Sequence, residues 1–457
     1  MVMTPYKLFK SFTSKKNLKQ VYENYIKNKP AVGLDKINSH IFSKRLDDEI
    51  DVIHRKIRNK TYHFTTYKQK LISKGANKYP RCISIPTIRD RITLKILCEL
   101  LQALYKEKIT QEIPQTKIER IKNSLLTGAY SHYIKIDLAN FYPSIHHEQL
   151  LAKLSKNIRS KQILNLIESA LQTATLPAPD RYKQNTCGIP QGIAISNILA
   201  DIYFIDIDER LSNVEGIHYE RYVDDIFILC KEEYAHEILR ATFELLISEK
   251  LEPHPIEALG SKSKLDNLNN RFSFLGYEFH PSKVTVKSES RQKLESSIVK
   301  LFTTYKYQVE RIEGEHLEYR ERLKKILQWR VNLRLTGCIF EGSRRGWVFY
   351  FSQINDQEIL YKIDRLVYSL CKRFTISDIH FKKISKAYLE AKIKNKDKHK
   401  YIINFDKLTV TEKRKILTTY LGEERIGARS NDEINRLFKL RIKHIIAELE
   451  QDIQSTY

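Results

Sequence analysis

The stretch His218-Tyr-Glu-Arg-Tyr222-Val-Asp224-Asp225-Ile-Phe-Ile-Leu229 decides how the rest of the chain is read. Two strand-like segments, 219–222 and 226–229, flank a pair of adjacent aspartates, and this spacing predicts a tight β-hairpin with the carboxylates at its tip. Neighbouring carboxylates repel and ordinarily occupy a solvated turn. Here the flanks are too apolar for a surface hairpin, so the acidic tip is costly unless cations neutralise it. Magnesium suits that task, since it takes hard oxygen ligands from one or two carboxylates and completes its shell with substrate phosphates. A second strand-like segment, Tyr133-Ile-Lys-Ile-Asp137-Leu-Ala-Asn-Phe141-Tyr142, supplies a third carboxylate at a strand end. Two metal ions held by Asp137 and the Asp224/Asp225 pair would activate an attacking hydroxyl and stabilise a leaving pyrophosphate.

The composition fits a polyanionic partner. In 457 residues, 79 Lys and Arg stand against 55 Asp and Glu, a formal net charge of +24 for which nucleic acid is the default partner. With 42% hydrophobic and 10% aromatic residues the chain lies outside the disordered regime, and its length suggests about three structural units. No apolar run approaches the ~20 residues of a membrane span. The N-terminus lacks a charged region followed by an apolar one. A cytoplasmic chain without membrane contact is therefore expected. Cys82, Cys98, Cys187, Cys230, Cys338 and Cys371 are dispersed without a CxxC pair, which suits reduced thiols better than a disulfide framework or a zinc site.

Short segments rich in β-branched and aromatic residues at 133–136, 219–222, 226–229 and 272–279 alternate with helical patterns at 90–107, 147–172, 192–209 and 234–248, which predicts an α+β core. Beyond 280 the spacing of Leu294, Ile298 and Leu301, and of Leu323, Ile326 and Leu327, is helical. Residues 281–457 hold 37 basic and 23 acidic side chains, so this helical third is the more basic part. The lysine-dense stretch 392–400 reads as a solvated helix end or loop, with a phosphate-binding strip as the alternative. Around 330–350, Arg334, Arg344 and Arg345 interleave with Trp329, Trp347, Phe349 and Tyr350, which suits either a single-strand-binding strip or an aromatic core seam, the seam being favoured. His146 and His147 point to different faces and read as structural rather than as metal ligands.

In this order the motifs resemble those of the reverse transcriptases, in particular the bacterial branch of group II intron enzymes, retrons and defence-associated or abortive-infection enzymes. Tyr222-Val223-Asp224-Asp225 is similar to the family's YxDD box. The resemblance implies that Asp137 and Asp224 bind both Mg²⁺ ions, or Mn²⁺ in their place, with Asp225 beside them and the Leu138 carbonyl as a further ligand. Gly188-Ile-Pro190-Gln191-Gly192 resembles the PQG motif, a loop leading into a helix beneath the template and the incoming nucleotide. Gly192 lets the backbone approach a base pair closely, and Gln191 can both donate and accept hydrogen bonds. Arg81-Cys-Ile-Ser-Ile-Pro86-Thr-Ile-Arg89-Asp90-Arg91 resembles a fingers segment, which implies that Arg81 grips the triphosphate, with Lys70 and Lys74 nearby. Arg89, Asp90 and Arg91 read as an ion-pair cluster opening the next helix. Gly33-Leu-Asp35 resembles an N-terminal extension motif. Lys262 and Lys264 lie where a basic residue near the leaving phosphate is expected, without the family's usual asparagine. Phe274-Leu275-Gly276-Tyr277 resembles the primer grip. The implied architecture is a right-hand polymerase: N-terminal extension and fingers over 1–130, palm with an antiparallel sheet and the catalytic motifs over 131–285, and an α-helical thumb with C-terminal extension over 286–457.

Tyr142 stands five residues after Asp137, where the family places a bulky aromatic that collides with a nucleotide 2′-hydroxyl. Deoxynucleotides are therefore expected, and of Phe141 and Tyr142 at least one packs in the core. The resemblance thus implies an RNA-directed DNA polymerase with an RNA template and a DNA product. Departures narrow the branch. The stretch 109–124 has no close match to the further fingers motif of group II intron enzymes, and no Cys/His endonuclease domain follows. The retron Val-Thr-Gly element is missing after the hairpin, where Leu335-Thr-Gly337 comes only much later. What remains resembles the defence-associated and abortive-infection enzymes, which implies antiphage defence, an associated noncoding RNA, and homo-oligomers or hetero-oligomers with another defence protein. The alternatives are a template-independent or protein-primed DNA polymerase, and a catalytically reduced, maturase-like RNA-binding factor. The intact Asp137, Asp224 and Asp225 count against the last.

Overall fold

The computed structural model describes residues 4–73, 79–110, 112–178, 183–256, 261–281, 283–312, 317–393 and 395–453. Its contacts divide the chain into two compact units, Met1–Glu112 with Gly128–Asn267, and Ile113–Thr127 with Leu268–Tyr457.

The first unit contains β1 (Tyr67–Ile72), β2 (Arg81–Ile85), β3 (His132–Asp137), β4 (Thr175–Leu176), β5 (His218–Tyr222), β6 (Asp225–Cys230) and β7 (Lys264–Asn267). Four of them form an antiparallel sheet in the order β5-β6-β3-β7. In the central strand β6, Ile226, Phe227, Ile228, Leu229 and Cys230 are all fully buried. Both faces of that strand are covered, which is why its sequence is a continuous apolar run rather than an alternation. The helices Ser196–Ser212 and Glu232–Ser248 pack against this sheet. A smaller sheet, ordered β2-β1-β4, pairs β1 and β2 as an antiparallel hairpin. It precedes the helix Ile88–Leu104, whose Thr87 cap accepts a hydrogen bond from the Asp90 N–H.

The expected alternation of strands and helices is present, with differences at the joints. The pattern at 147–172 is two helices, His147–Ser155 and Lys161–Gln172, and the pattern at 192–209 becomes Ser196–Ser212 because residues 188–195 form a loop.

The second unit opens on a meander of β8 (Phe272–Phe274), β9 (Tyr277–His280) and β10 (Lys283–Val286), followed by the long helices Ser288–Glu310 and Leu317–Thr336. The expectation of a purely helical final third needs correction. Three short strands, β11 (Cys338–Phe340), β12 (Ser343–Arg345) and β13 (Ile403–Asn404), form a small sheet there. Trp347, Phe349 and Tyr350 are buried, and buried Arg334 bonds Ser297 and pairs with Glu448 and Asp452, so this region is a core seam rather than an open strip. The contacts give two units where the sequence suggested three, and 268–285 packs with the helices that follow it. No described helix is long and apolar enough to cross a membrane.

Candidate active site

Register brings the carboxylates to one end of the four-stranded sheet. In the β3–β6 pair Asp137 lies opposite Asp225, and in the β5–β6 pair Tyr222 lies opposite Asp225, so Val223 and Asp224 form a two-residue turn. Val223 adopts a φ of 57°, an outlying value for a β-branched residue. Asp137 is buried and its N–H donates to Ser263 Oγ at 3.1 Å. Its carboxylate receives Lys262 Nζ at 3.2 and 3.4 Å and lies 3.6 Å from His254 Nε2. The chain beyond is fixed by a Leu138–Pro253 bridge and by the Ala139 N–H donating to the Glu252 carbonyl at 2.8 Å.

Burial pushes the Asp225 carboxyl up to about 6, with Lys135 opposing and with Asp224 and Asp137 adding to the shift. Asp224 is also raised, by burial first and by Asp137 next, against Lys262 and Arg81. The three carboxylates therefore feel one another, and Arg81 and Lys262 act on the same group. Among the described residues, no three His, Cys, Asp or Glu side chains already stand together as a metal-binding group. The donor chemistry nonetheless fits a hard divalent cation. It offers carboxylate oxygens from neighbouring strands, those of Asp224 and Asp225 disfavoured as anions by burial, and the Lys262 ammonium already pairs with Asp137.

Phe141 packs edge-on against Phe204 in the core, whereas the Tyr142 hydroxyl donates to Asn197 Oδ1 at 2.9 Å. Burial raises the Tyr142 phenol well above its usual range, and Asp224 and Asp201 raise it further, which places the ring within reach of the carboxylate field. The Tyr142 carbonyl accepts from the Ile189 N–H at 2.8 Å, which ties this turn to the 188–192 loop. The Gln191 carbonyl accepts from the Ser84 N–H of β2 at 2.7 Å. Gly192 has a φ of 96°, and a Cβ there would lie 2.7 Å from Ile83 Cγ2, so only glycine lets the loop lie flat on the strand that begins at Arg81.

The structure thus brings together Asp137, Asp224, Asp225, Lys262, Arg81 and Tyr142, with Gln191 and Gly192 docked on β2. Two expectations for the surrounding charges are changed. Lys264 pairs with Asp266 at 2.5 Å rather than with the carboxylates. Arg89, Asp90 and Arg91 are not a cluster of mutual ion pairs. Arg89 pairs with Glu49, Arg91 donates to the Ala31 carbonyl, and Asp90 accepts from Tyr62, Thr65 and Thr87. His147 Nε2 lies 2.7 Å from the Gly188 carbonyl and is structural. Lys70 is exposed on β1, and Lys74 lies outside the described residues. Phe274 ends β8, and Leu275 and Gly276 form the β8–β9 turn of the second unit. Sequence reasoning missed Asn197, Ser263, His254 and Arg221. The one visible signal was Arg221, a charge beside the acidic turn in a strand otherwise read for its apolar residues.

Residues 69–288 match the family "Reverse transcriptase (RNA-dependent DNA polymerase)", and this segment contains every residue of the site. The chain is 28% identical over 216 residues to the "Uncharacterized 91 kDa protein in cob intron" of Schizosaccharomyces pombe, covering 46% of this chain and 26% of that protein. It is 25% identical over 199 residues to the "Group II intron-encoded protein LtrA" of Lactococcus lactis subsp. cremoris, covering 41% of this chain and 32% of that protein. The match therefore spans a third or less of each of these relatives. Among solved structures, the telomerase of Candida albicans in complex with a fragment of telomeric RNA aligns over 91% of this chain and 67% of that one, at 12% identity and a TM-score of 0.42.

Proposed function

Since residues 69–288 match the reverse transcriptase family, we propose that the chain is an RNA-directed DNA polymerase that adds deoxynucleotides to a 3′-hydroxyl. The observation that carries this reading is the convergence of Asp137, Asp224 and Asp225 at one sheet end, inside the matched segment and within the field of Arg81 and Lys262. Asp137 and Asp224 are the residues to hold two Mg²⁺ ions, with Asp225 and the Leu138 carbonyl beside them. Bound there, the ions supply charge neutralisation for the attacking and leaving oxygens. The protein's own groups do the rest. Arg81 holds the triphosphate through its planar fork, and Lys262 offers its ammonium to the phosphates. The Tyr142 ring, held by Asn197, occupies the space a 2′-hydroxyl would need. Gln191 and Gly192 support the nascent pair, and Phe274, Leu275 and Gly276 hold the primer end.

An RNA template, an associated noncoding RNA and a cytoplasmic antiphage role belong to the same reading. They are supported by the motif layout, in which 109–124 has no close match to the intron-type fingers motif and no Val-Thr-Gly element follows the acidic hairpin. The intron-encoded relatives favour a second reading, an RNA-binding maturase-like factor. Purified protein given Mg²⁺, labelled deoxynucleotides and its co-purified RNA should incorporate label, and the Asp224→Ala, Asp225→Ala double variant should not. Equal incorporation by both would overturn the assignment. Tyr142→Ala should admit ribonucleotides, and unchanged sugar selection would remove Tyr142 from its role.

A further inference from the structure

Arg221 stands behind the carboxylate turn and has no part in the reading above. Its side chain, on β5, is only 10% exposed. Two aspartates of the helix Ser196–Ser212 fix its guanidinium. Nε lies 2.8 Å from Asp208 Oδ1, Nη2 lies 2.6 Å from Asp208 Oδ2, and Nη1 and Nη2 lie 3.3 and 3.4 Å from Asp201 Oδ1. The Phe204 ring lies beneath it at 4.3 Å, and the Tyr219 hydroxyl donates to the same Asp208 Oδ1 at 2.7 Å. With the fork held on that side, Nη1 also donates to the Val223 carbonyl at 2.9 Å. This carbonyl belongs to the peptide joining Val223 to Asp224, so the bond sets the plane from which the Asp224 side chain departs. The conformation it holds is unfavourable. Val223 has a φ of 57°, at the first position of a two-residue hairpin turn, where positive φ normally calls for glycine, asparagine or aspartate.

We propose that Arg221 is a positioning residue. Anchored by Asp201 and Asp208, it holds the Val223-Asp224 turn in its strained form and so keeps the Asp224 carboxylate with Asp137 and Asp225. The helix that follows Gln191 and Gly192 thereby sets the geometry of the metal-binding carboxylates. This rests on the reading of Asp224 as a metal ligand. An ion pair that serves stability alone would contact the aspartates without engaging the strained carbonyl.

The test uses the full chain, with Arg221→Ala and Arg221→Lys alone and each combined with Val223→Gly, all checked for folding by circular dichroism and urea midpoint. Binding of Mn²⁺ alone, without nucleotide, is followed by loss of the free-ion paramagnetic resonance signal, and kcat and KM for deoxynucleotides are measured separately. Loss of an outer-shell partner costs about 10- to 100-fold in metal affinity or rate, so folded Arg221→Ala should lose Mn²⁺ affinity and kcat by that order with KM little changed. Arg221→Lys should not rescue, because an ammonium lacks the fork. Val223→Gly should restore much of both in either background, because glycine adopts positive φ without strain. Wild-type Mn²⁺ affinity in a folded Arg221 variant, a loss that Val223→Gly leaves unchanged, or a wild-type chain that binds no Mn²⁺ would each overturn the proposal. A wild-type chain that binds Mn²⁺ but incorporates no deoxynucleotide would instead overturn the polymerase reading, while the Mn²⁺ series would still decide the role of Arg221.

Discussion

The turn Val223-Asp224 between β5 and β6 and the turn Leu275-Gly276 between β8 and β9 are each two residues long, and each begins with an apolar residue at positive φ, 57° and 48° respectively. In both, the carbonyl of that residue accepts a hydrogen bond from a largely buried side chain. Arg221 Nη1 supplies it to Val223 at 2.9 Å, and the Tyr350 hydroxyl supplies it to Leu275 at 3.1 Å. The turns differ at the second position and in the donor. Gly276 takes a φ of 78° without steric cost, and its neighbour is held by a neutral phenol. Asp224 carries a carboxylate, and the donor behind its turn is a cation pinned by Asp201 and Asp208. A turn that carries no charge of its own can relax through glycine and a neutral donor. A turn that presents charge beside two further carboxylates is held by a fixed cation.

The sharpest way to break this comparison is Gly276→Val, which gives the neutral turn a branched side chain at positive φ with no cation behind it. It should cost about 3 kcal/mol in urea unfolding of the full chain, and a loss under about 0.5 kcal/mol would show that the second turn does not depend on glycine. The charged turn has a pH signature of its own. The Asp225 carboxyl is raised from 3.8 to about 6 in the fold. Below the lower value it is protonated folded and unfolded alike. As pH rises through the upper value, the unfolded chain ionises more readily and the metal-free fold loses stability. Asp225→Asn should therefore remove about 2 kcal/mol of that loss between pH 4 and 7, and identical pH profiles for variant and wild type would contradict an Asp225 carboxyl raised chiefly by burial. Tyr350→Phe leaves the Leu275 carbonyl without its phenol donor and should cost about 1.5 kcal/mol, read from the same unfolding curves. No change would show that the neutral turn needs no donor. The smallest effect belongs to Val223→Gly in the otherwise native chain. Relief of strain slightly exceeds the added chain entropy, for a gain of about 0.5 kcal/mol. A clear loss in the urea midpoint would mean that Val223 is not strained.

The sequence displayed the site more fully than the packing. Asp137, Asp224 and Asp225 were legible because carboxylates among apolar strand residues are conspicuous, and strand register alone then brings Asp137 opposite Asp225. Gly192 was legible as a close approach, but the partner was not, since the side chain it would strike, Ile83, lies more than a hundred residues earlier. The roles of Asn197 and Ser263, and the partners of Arg221, were hidden for the same reason. Each acts through a contact distant in sequence, or through a strained backbone, and no periodicity marks either. The short strands β11 to β13 escaped because two or three residues are too few for an alternation to show. Among the rings of 329–350, only burial separated a core seam from a nucleic-acid strip, and burial is a tertiary property.

The central claim is that this carboxylate cluster copies RNA into DNA. Its most direct test is to sequence the DNA made by the purified chain, with Mg²⁺ and the four deoxynucleotides, on an added RNA of defined sequence. DNA complementary to that RNA, absent with the Asp224→Ala, Asp225→Ala double variant, is the predicted result. Product of random sequence, no product at all, or the same product from the double variant would contradict it.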